Sequence, residues 1–241
     1  MKCASSVSLV AFVLQHLLAR PASPQHARVL GIAGYPYTGK THLGRAVKAA
    51  WPSGNVTVLP TESAVLPRRL RQTRRTDGCA PDGHDMPGLL NSVISLRNGQ
   101  SVICREYSWT SGEADGTRPV HGVETGGLLI VDGTVAAASP VHEQCDLVIF
   151  LSPAKKATWL PLACRRDISE RGWEPASARS QNLRKSTTSE TLKEPVQRSL
   201  FISIRVDPTS WTWFLPGCGL CDSLPGNGLA QAPVTVASCK A

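Results

Sequence analysis

The sequence predicts an α/β fold, a mostly parallel sheet with helices on both faces, and three observations carry the prediction. Short apolar runs alternate along the chain with stretches of helical pattern. Several of those runs are continuously apolar, as strands buried on both faces require. One of them leads into a glycine-bounded turn and then a helix, the order of a phosphate-binding strand-turn-helix unit.

Residues 1–27 read as an N-terminal extension. Met1-Lys2 and the apolar run from Val7 to Leu18, interrupted by Ser8, Gln15 and His16, fit either a short amphipathic helix packed on the domain or a cleaved targeting segment. The run is too short for a transmembrane segment, which takes about 20 apolar residues. Val29 to Ala33 reads as the first strand, Gly34 to Gly39 as a turn, and Lys40 to Ala50 as a helix ended by Trp51-Pro52-Ser53-Gly54. Further strands are expected at Val56–Leu59, Ser101–Cys104, Leu128–Val131 and Leu147–Leu151. Before the third strand, Asp85 can cap a helix with Pro87 in its first turn, a buried stripe of Leu89, Leu90, Val93 and Ile94, and a stop at Asn98-Gly99. The domain is expected to span 28–173. Residues 174–241 are rich in Ser, Thr, Pro and Gly and read as an irregular C-terminal segment.

The formal charge of +8 favours anionic partners in general. Within 28–173, however, 17 Lys and Arg face 13 Asp and Glu, without the basic density of a nucleic-acid binder. Eight cysteines lack the short regular spacing of a disulfide scaffold, which points to a reducing, cytoplasmic setting. The close pair Cys218 and Cys221 has no second pair or His pair nearby to complete a zinc site.

Gly34-Tyr35-Pro36-Tyr37-Thr38-Gly39-Lys40-Thr41 satisfies G-x-x-x-x-G-K-[ST] at every fixed position and lies between strand and helix, the P-loop NTPase-type arrangement. Glycines let the backbone curl so that N–H groups face phosphate oxygens, and the helix amino end adds partial positive charge. The expected ligands are ATP and Mg²⁺, with Lys40 on the terminal phosphates and Thr41 on the metal. Tyr35 and Tyr37 are bulky for this turn: they can point outward, or they can reshape the loop and weaken nucleotide affinity. Asp132 follows the strand Leu128–Val131 and either acts in catalysis, holding Mg²⁺ through water or polarising an acceptor, or caps a strand-to-loop turn.

Between Val29 and Trp173 these pieces come in an order that resembles the uridine kinase and phosphoribulokinase family of P-loop small-molecule kinases. The P-loop is followed by Glu62 after the second strand, Pro81-Asp-Gly-His-Asp85 before a helix, Leu96-Arg-Asn-Gly99, Tyr107, the strand ending in Asp132-Gly133, and Arg166-Asp167-Ile-Ser-Glu-Arg171-Gly172. The resemblance implies ATP-dependent phosphoryl transfer to a small-molecule hydroxyl acceptor, a nucleoside or a sugar phosphate. It implies that Glu62 removes the acceptor proton, where the family has Asp, that Asp85 and Tyr107 line the acceptor site, and that Arg166 belongs to a lid over ATP. Ser108 and Arg105 beside Tyr107 depart from the family pattern. So do Leu162 and Ala163, where the family has paired arginines, and Pro161 is expected to interrupt the lid helix. These departures leave a second reading open, an ATP-binding relative with weakened or truncated catalysis. Arg68, Arg69, Arg71, Arg74 and Arg75 read either as a solvated loop or as a site for an anionic acceptor.

Overall fold

The computed structural model describes residues 2–4, 6–19, 25–192, 200–207 and 212–215 of the chain. The first elements are β1 (Lys2–Ala4), α1 (Ser6–Leu18), β2 (Arg28–Gly34), α2 (Lys40–Ala50), β3 (Val56–Pro60) and α3 (Arg68–Thr73). There follow α4 (Met86–Arg97), β4 (Val102–Tyr107), β5 (Ala114–Val120), β6 (Leu128–Asp132) and β7 (Leu147–Pro153). The last are α5 (Lys156–Arg171), α6 (Pro175–Thr191), β8 (Leu200–Asp207) and β9 (Thr212–Leu215).

Five strands run parallel in the order β8-β7-β2-β6-β3, and β9 and β1 extend the β8 edge in antiparallel pairing. β2 lies between β6 and β7, with Leu30 opposite both Ile130 and Leu147. The strand alternation sends side chains to two layers. Val29, Ala33, Leu59, Val131 and Phe150 pack on one face with Leu89, Val93 and Leu96 of α4 and Trp159 and Ala163 of α5. Leu30, Ile32, Ile130, Ile149 and Ile204 pack on the other with Leu43 and Val47 of α2 and with Leu9, Val13 and Leu17 of α1. Both faces are therefore covered, which is why the strands read as unbroken apolar runs.

The first 27 residues thus include a helix whose spacing of Leu9, Val13 and Leu17 puts one apolar stripe on the sheet. No helix among the described residues is long and apolar enough to cross a membrane.

Four expectations need correction. The strand expected at Ser101–Cys104 exists as β4, but it pairs antiparallel with β5 outside the main sheet. Its apolar run is too short to tell a core strand from a hairpin, and Ile103 is 70% exposed. In α4 the buried stripe is Leu89, Val93 and Leu96, while Ile94 faces outward. Pro161 does not interrupt α5: it sits on the exposed face of a helix that continues to Arg171. The irregular segment expected from Glu174 onward is interrupted by order, since 175–191 is α6 and 200–207 is a parallel strand on β7. Cys218 and Cys221 lie outside the described residues.

Candidate active site

β2 ends at Gly34, where φ is +134° and a Cβ would lie 2.1 Å from the Leu151 carbonyl oxygen. Only glycine lets the turn start this close to β7. The turn closes at Gly39, whose φ of +82° begins α2 with no side-chain cap, leaving the first-turn N–H groups of that helix to an anion. Inside the turn Lys40 Nζ donates to the carbonyls of Gly34 at 3.1 Å and Tyr35 at 2.7 Å. Thr38 Oγ1 donates to the same Tyr35 carbonyl at 2.7 Å, and Trp159 Nε1 of α5 braces the loop through the Pro36 carbonyl at 2.7 Å.

Tyr35 does not point outward. It is fully buried, edge-on to Phe150 and Trp159, and its hydroxyl donates to Glu190 of α6. Its N–H is taken by the Leu151 carbonyl at 3.0 Å, so its amide faces β7 rather than the cleft. An aromatic ring lies here because the loop sits over the apolar layer between β7 and α5. Tyr37 does face the cleft, with left-handed backbone (φ +56°) and the Arg166 guanidinium 5.7 Å from its ring centroid.

At the end of β6, Asp132 is 8% exposed and accepts a 2.8 Å hydrogen bond from Thr41 Oγ1. Gly133 follows with φ +149°, and a Cβ there would lie 1.8 Å from Thr61 Oγ1. That close approach brings the turn after β3, with Glu62, onto the wall of the same cleft as Asp132 and Lys40. The cleft encloses 310 Å³. Burial pushes the Glu62 carboxyl up from its ordinary value, and Asp132 pushes it further. Burial likewise raises Asp132, against the pull of Lys40 and the Thr41 hydrogen bond. It lowers the Lys40 ammonium, which Asp132 and Glu62 support. Lys40 thus supports the charge of both carboxylates, while Asp132 opposes that of Glu62.

Three more cations line the cleft. Arg166, Arg171 and Lys185 converge on Asp167, which is fully buried, at 2.8, 3.1 and 3.5 Å. Asn182 adds a 2.9 Å hydrogen bond to the same carboxylate. Burial works against the Asp167 charge, yet Lys185, Arg166 and Arg171 hold its carboxyl below the ordinary value. Sequence reasoning found Arg166 and Arg171 but missed Lys185, Trp109, Cys79 and His84, all of which line the cleft.

Two expected residues stand elsewhere. Asp85 is exposed and caps α4, with Oδ1 accepting from the Gly88 N–H at 3.0 Å, and it is not part of the cleft wall. Its neighbour His84 turns inward instead. Tyr107 lies outside the phosphate cleft, accepting a hydrogen bond from Arg71 and packing edge-on to Trp109.

His84 is 5% exposed, its Nδ1 lies 2.8 Å from the Ala80 carbonyl, and burial drives its pKa down to about 4. The unfolded chain therefore binds this proton more readily, near pH 6.5, than the folded chain does. Stability that is fully present above that pH falls as the pH drops toward 4, by about 3 kcal/mol. Urea unfolding of the chain and of His84→Gln at pH 7 and pH 4.5 is expected to show this loss reduced in the variant. An equal loss in both proteins would remove His84 as its source.

Among curated proteins, no sequence matches this chain. Solved structures do. A protein assigned as a fructose transport system kinase from Silicibacter sp. TM1040 superposes with a TM-score of 0.65 at 20% identity, covering 82% of this chain and 98% of its own. D-glycerate 3-kinase from Cryptococcus neoformans var. grubii matches with a TM-score of 0.62 at 12% identity, over 85% of this chain and 96% of its own. Phosphoribulokinase from Rhodobacter spheroides matches with a TM-score of 0.53 at 14% identity, over 78% and 74%. At these identities the likeness is one of fold. The sequence itself matches the model of the Phosphoribulokinase / Uridine kinase family over residues 29–206, a span that takes in the P-loop, Glu62, Asp132, the cations of the cleft and most of β8. The chain belongs to that family of P-loop kinases.

Proposed function

We propose that this chain transfers the γ-phosphoryl group of ATP to a hydroxyl of a nucleoside or related small metabolite, as a uridine kinase-like enzyme of a reducing cytoplasm. The observation that carries the reading is the convergence of Lys40, Thr41, Glu62 and Asp132 on one 310 Å³ cleft that Arg166, Arg171 and Lys185 also line. The Thr41 hydroxyl and Asp132 carboxylate form an oxygen donor pair, which fits Mg²⁺, a hard cation that takes oxygen ligands and is completed by substrate phosphates. When bound, Mg²⁺ neutralises charge on the phosphates.

In this reading Lys40 leaves the carbonyls of Gly34 and Tyr35 for the terminal phosphates, and the N–H groups at the start of α2 take the phosphate oxygens. Glu62 accepts the proton of the acceptor hydroxyl as that oxygen bonds to the γ-phosphorus and the bond to the ADP oxygen breaks. Arg166, Arg171 and Lys185 stabilise charge on the transferring group. These cations favour this enzyme reading over a catalytically weak ATP binder. Where the resembling family has paired arginines this chain has Leu162 and Ala163, yet Lys185 brings a cation to the cleft from α6.

ADP release from Mg²⁺-ATP, measured against a panel of nucleosides and sugar phosphates, tests the proposal. Release that depends on one acceptor class supports it. Nucleotide binding without turnover on any acceptor would favour the weak binder instead.

A further inference from the structure

α6 brings Lys185 to the cleft without an apolar stripe to seat the helix. Of its buried side chains only Ala178 is apolar: Asn182, Lys185, Ser186 and Ser189 are polar, and Leu183 is 48% exposed. Leu192, at the helix end, packs partly on the apolar layer. Most helices in proteins are held by the packing of an apolar face, so α6 depends to an unusual degree on its polar contacts.

Those contacts are spread along its length. Asn182 and Lys185 reach the Asp167 carboxylate of α5 at 2.9 and 3.5 Å. Thr188 Oγ1 donates to Asp77 Oδ2 at 3.1 Å. Glu190 accepts from the Tyr35 hydroxyl and pairs with Lys156 Nζ at the start of α5, at 3.0 Å. The last contact differs in kind, because Tyr35 belongs to the phosphate turn itself.

Tyr35 is fixed by that turn and by its neighbours. Its N–H is taken by the Leu151 carbonyl at 3.0 Å, and its own carbonyl accepts from Lys40 Nζ and Thr38 Oγ1, both at 2.7 Å. The ring is held edge-on to Phe150 and Trp159. Burial raises the Tyr35 phenol, and the Glu190 hydrogen bond and charge raise it further, so the hydroxyl stays a donor. A buried hydroxyl is costly to leave without an acceptor, and a carboxylate is the stronger kind of acceptor. The hydroxyl is thus a fixed post for the end of α6, and Lys185 lies about one and a half turns before Glu190 on the same helix.

We infer that Tyr35 and Glu190 are positioning residues: the turn that takes the phosphates also seats α6, and through it sets Lys185 against the transferring group. The inference rests on the kinase reading above. Loss of the link leaves Lys40, Thr41 and the first N–H groups of α2 in place, so it costs turnover rather than ATP binding.

Three substitutions on the full chain provide the test. Tyr35→Phe removes the hydroxyl and keeps the packed ring, Glu190→Ala removes the acceptor, and Glu190→Gln keeps an acceptor oxygen while losing the charge that faces Lys156. Hydrogen exchange of the free chain, read by mass spectrometry, reports the seat of α6. Tyr35→Phe and Glu190→Ala are each expected to speed exchange across 175–191 about tenfold, with β2 and β6 unchanged and Glu190→Gln near the parent. In steady-state turnover the same two variants are expected to lower kcat about tenfold with KM for ATP within about twofold of the parent, while Glu190→Gln keeps most of the rate. Tyr35→Phe should cost nothing further once Lys185→Gln is in place, since both act through one cation. Unchanged exchange across α6, a raised KM for ATP with kcat intact, or losses that add in the double variant overturns the inference. If the parent turns over no acceptor, the kinase reading fails, and the exchange measurement still decides whether Tyr35 seats α6.

Discussion

Lys40→Ala is expected to lower phosphoryl transfer by about 10²- to 10³-fold, the loss typical when one preorganised donor to developing charge is removed from a catalytic site. The side chain sits inside the phosphate turn, donating to the carbonyls of Gly34 and Tyr35. Alanine removes the charge but leaves the glycines, Thr38 and the Trp159 brace that shape the loop. The variant should therefore still unfold cooperatively in urea, although it loses the two hydrogen bonds and leaves Asp132 and Glu62 without that cation. Steady-state turnover on the best acceptor checks the first expectation, and unfolding the second. Unchanged turnover in the variant would remove Lys40 from the chemistry.

Glu62→Gln is the second large effect. A positioned general base contributes about 10²- to 10⁴-fold, and the amide cannot accept the acceptor proton, so kcat is expected to fall by that range. The pH profile separates a proton acceptor from a merely structural residue. Burial and the Asp132 charge raise the Glu62 carboxyl from its ordinary value, and only the ionised form takes a proton. Activity of the parent should thus fall as the pH drops through that raised value, at a higher pH than an ordinary carboxylate would give. In Glu62→Gln this acidic limb should vanish along with most of the rate. A variant that kept both the rate and the limb would assign the base to another group.

The main sheet was legible because its strands are buried on both faces and read as Val-, Leu- and Ile-rich runs, as in Leu128–Val131 and Leu147–Leu151. The phosphate turn was legible because its glycines are fixed by geometry: no side chain fits beside Leu151 at Gly34. α6 left no such trace. Its inward positions, Ala178, Asn182, Lys185, Ser186 and Ser189, recur at helical spacing, but four of the five are polar, so no apolar stripe marks them. Lys185 was missed for that reason, and with it the link from Asp167 to a third cation of the cleft.

The acceptor side was read less well, because a short polar motif fixes a residue's place along the chain but not its direction. Asp85 and His84 are neighbours, yet the carboxylate turns out to cap α4 while the imidazole turns in toward the cleft. Tyr35 shows the same limit: a tyrosine in a phosphate turn suggests an outward ring, whereas the space between β7 and α5 takes it in. The arginine cluster at 68–75 was seen, but the cavity that Arg68 and Arg71 line depends on α6 and Trp173, which come roughly a hundred residues later in the sequence.

In the proposed reaction the turn from Gly34 to Thr41 holds Mg²⁺-ATP through Lys40. Calorimetric titration of Mg²⁺-ATP into the purified chain and into Lys40→Ala measures this directly. The predicted result is saturable binding by the parent that requires Mg²⁺ and weakens at least about tenfold in the variant, one charge-assisted contact having been lost. Absence of binding by a chain that unfolds cooperatively, or equal binding by parent and variant, would contradict it.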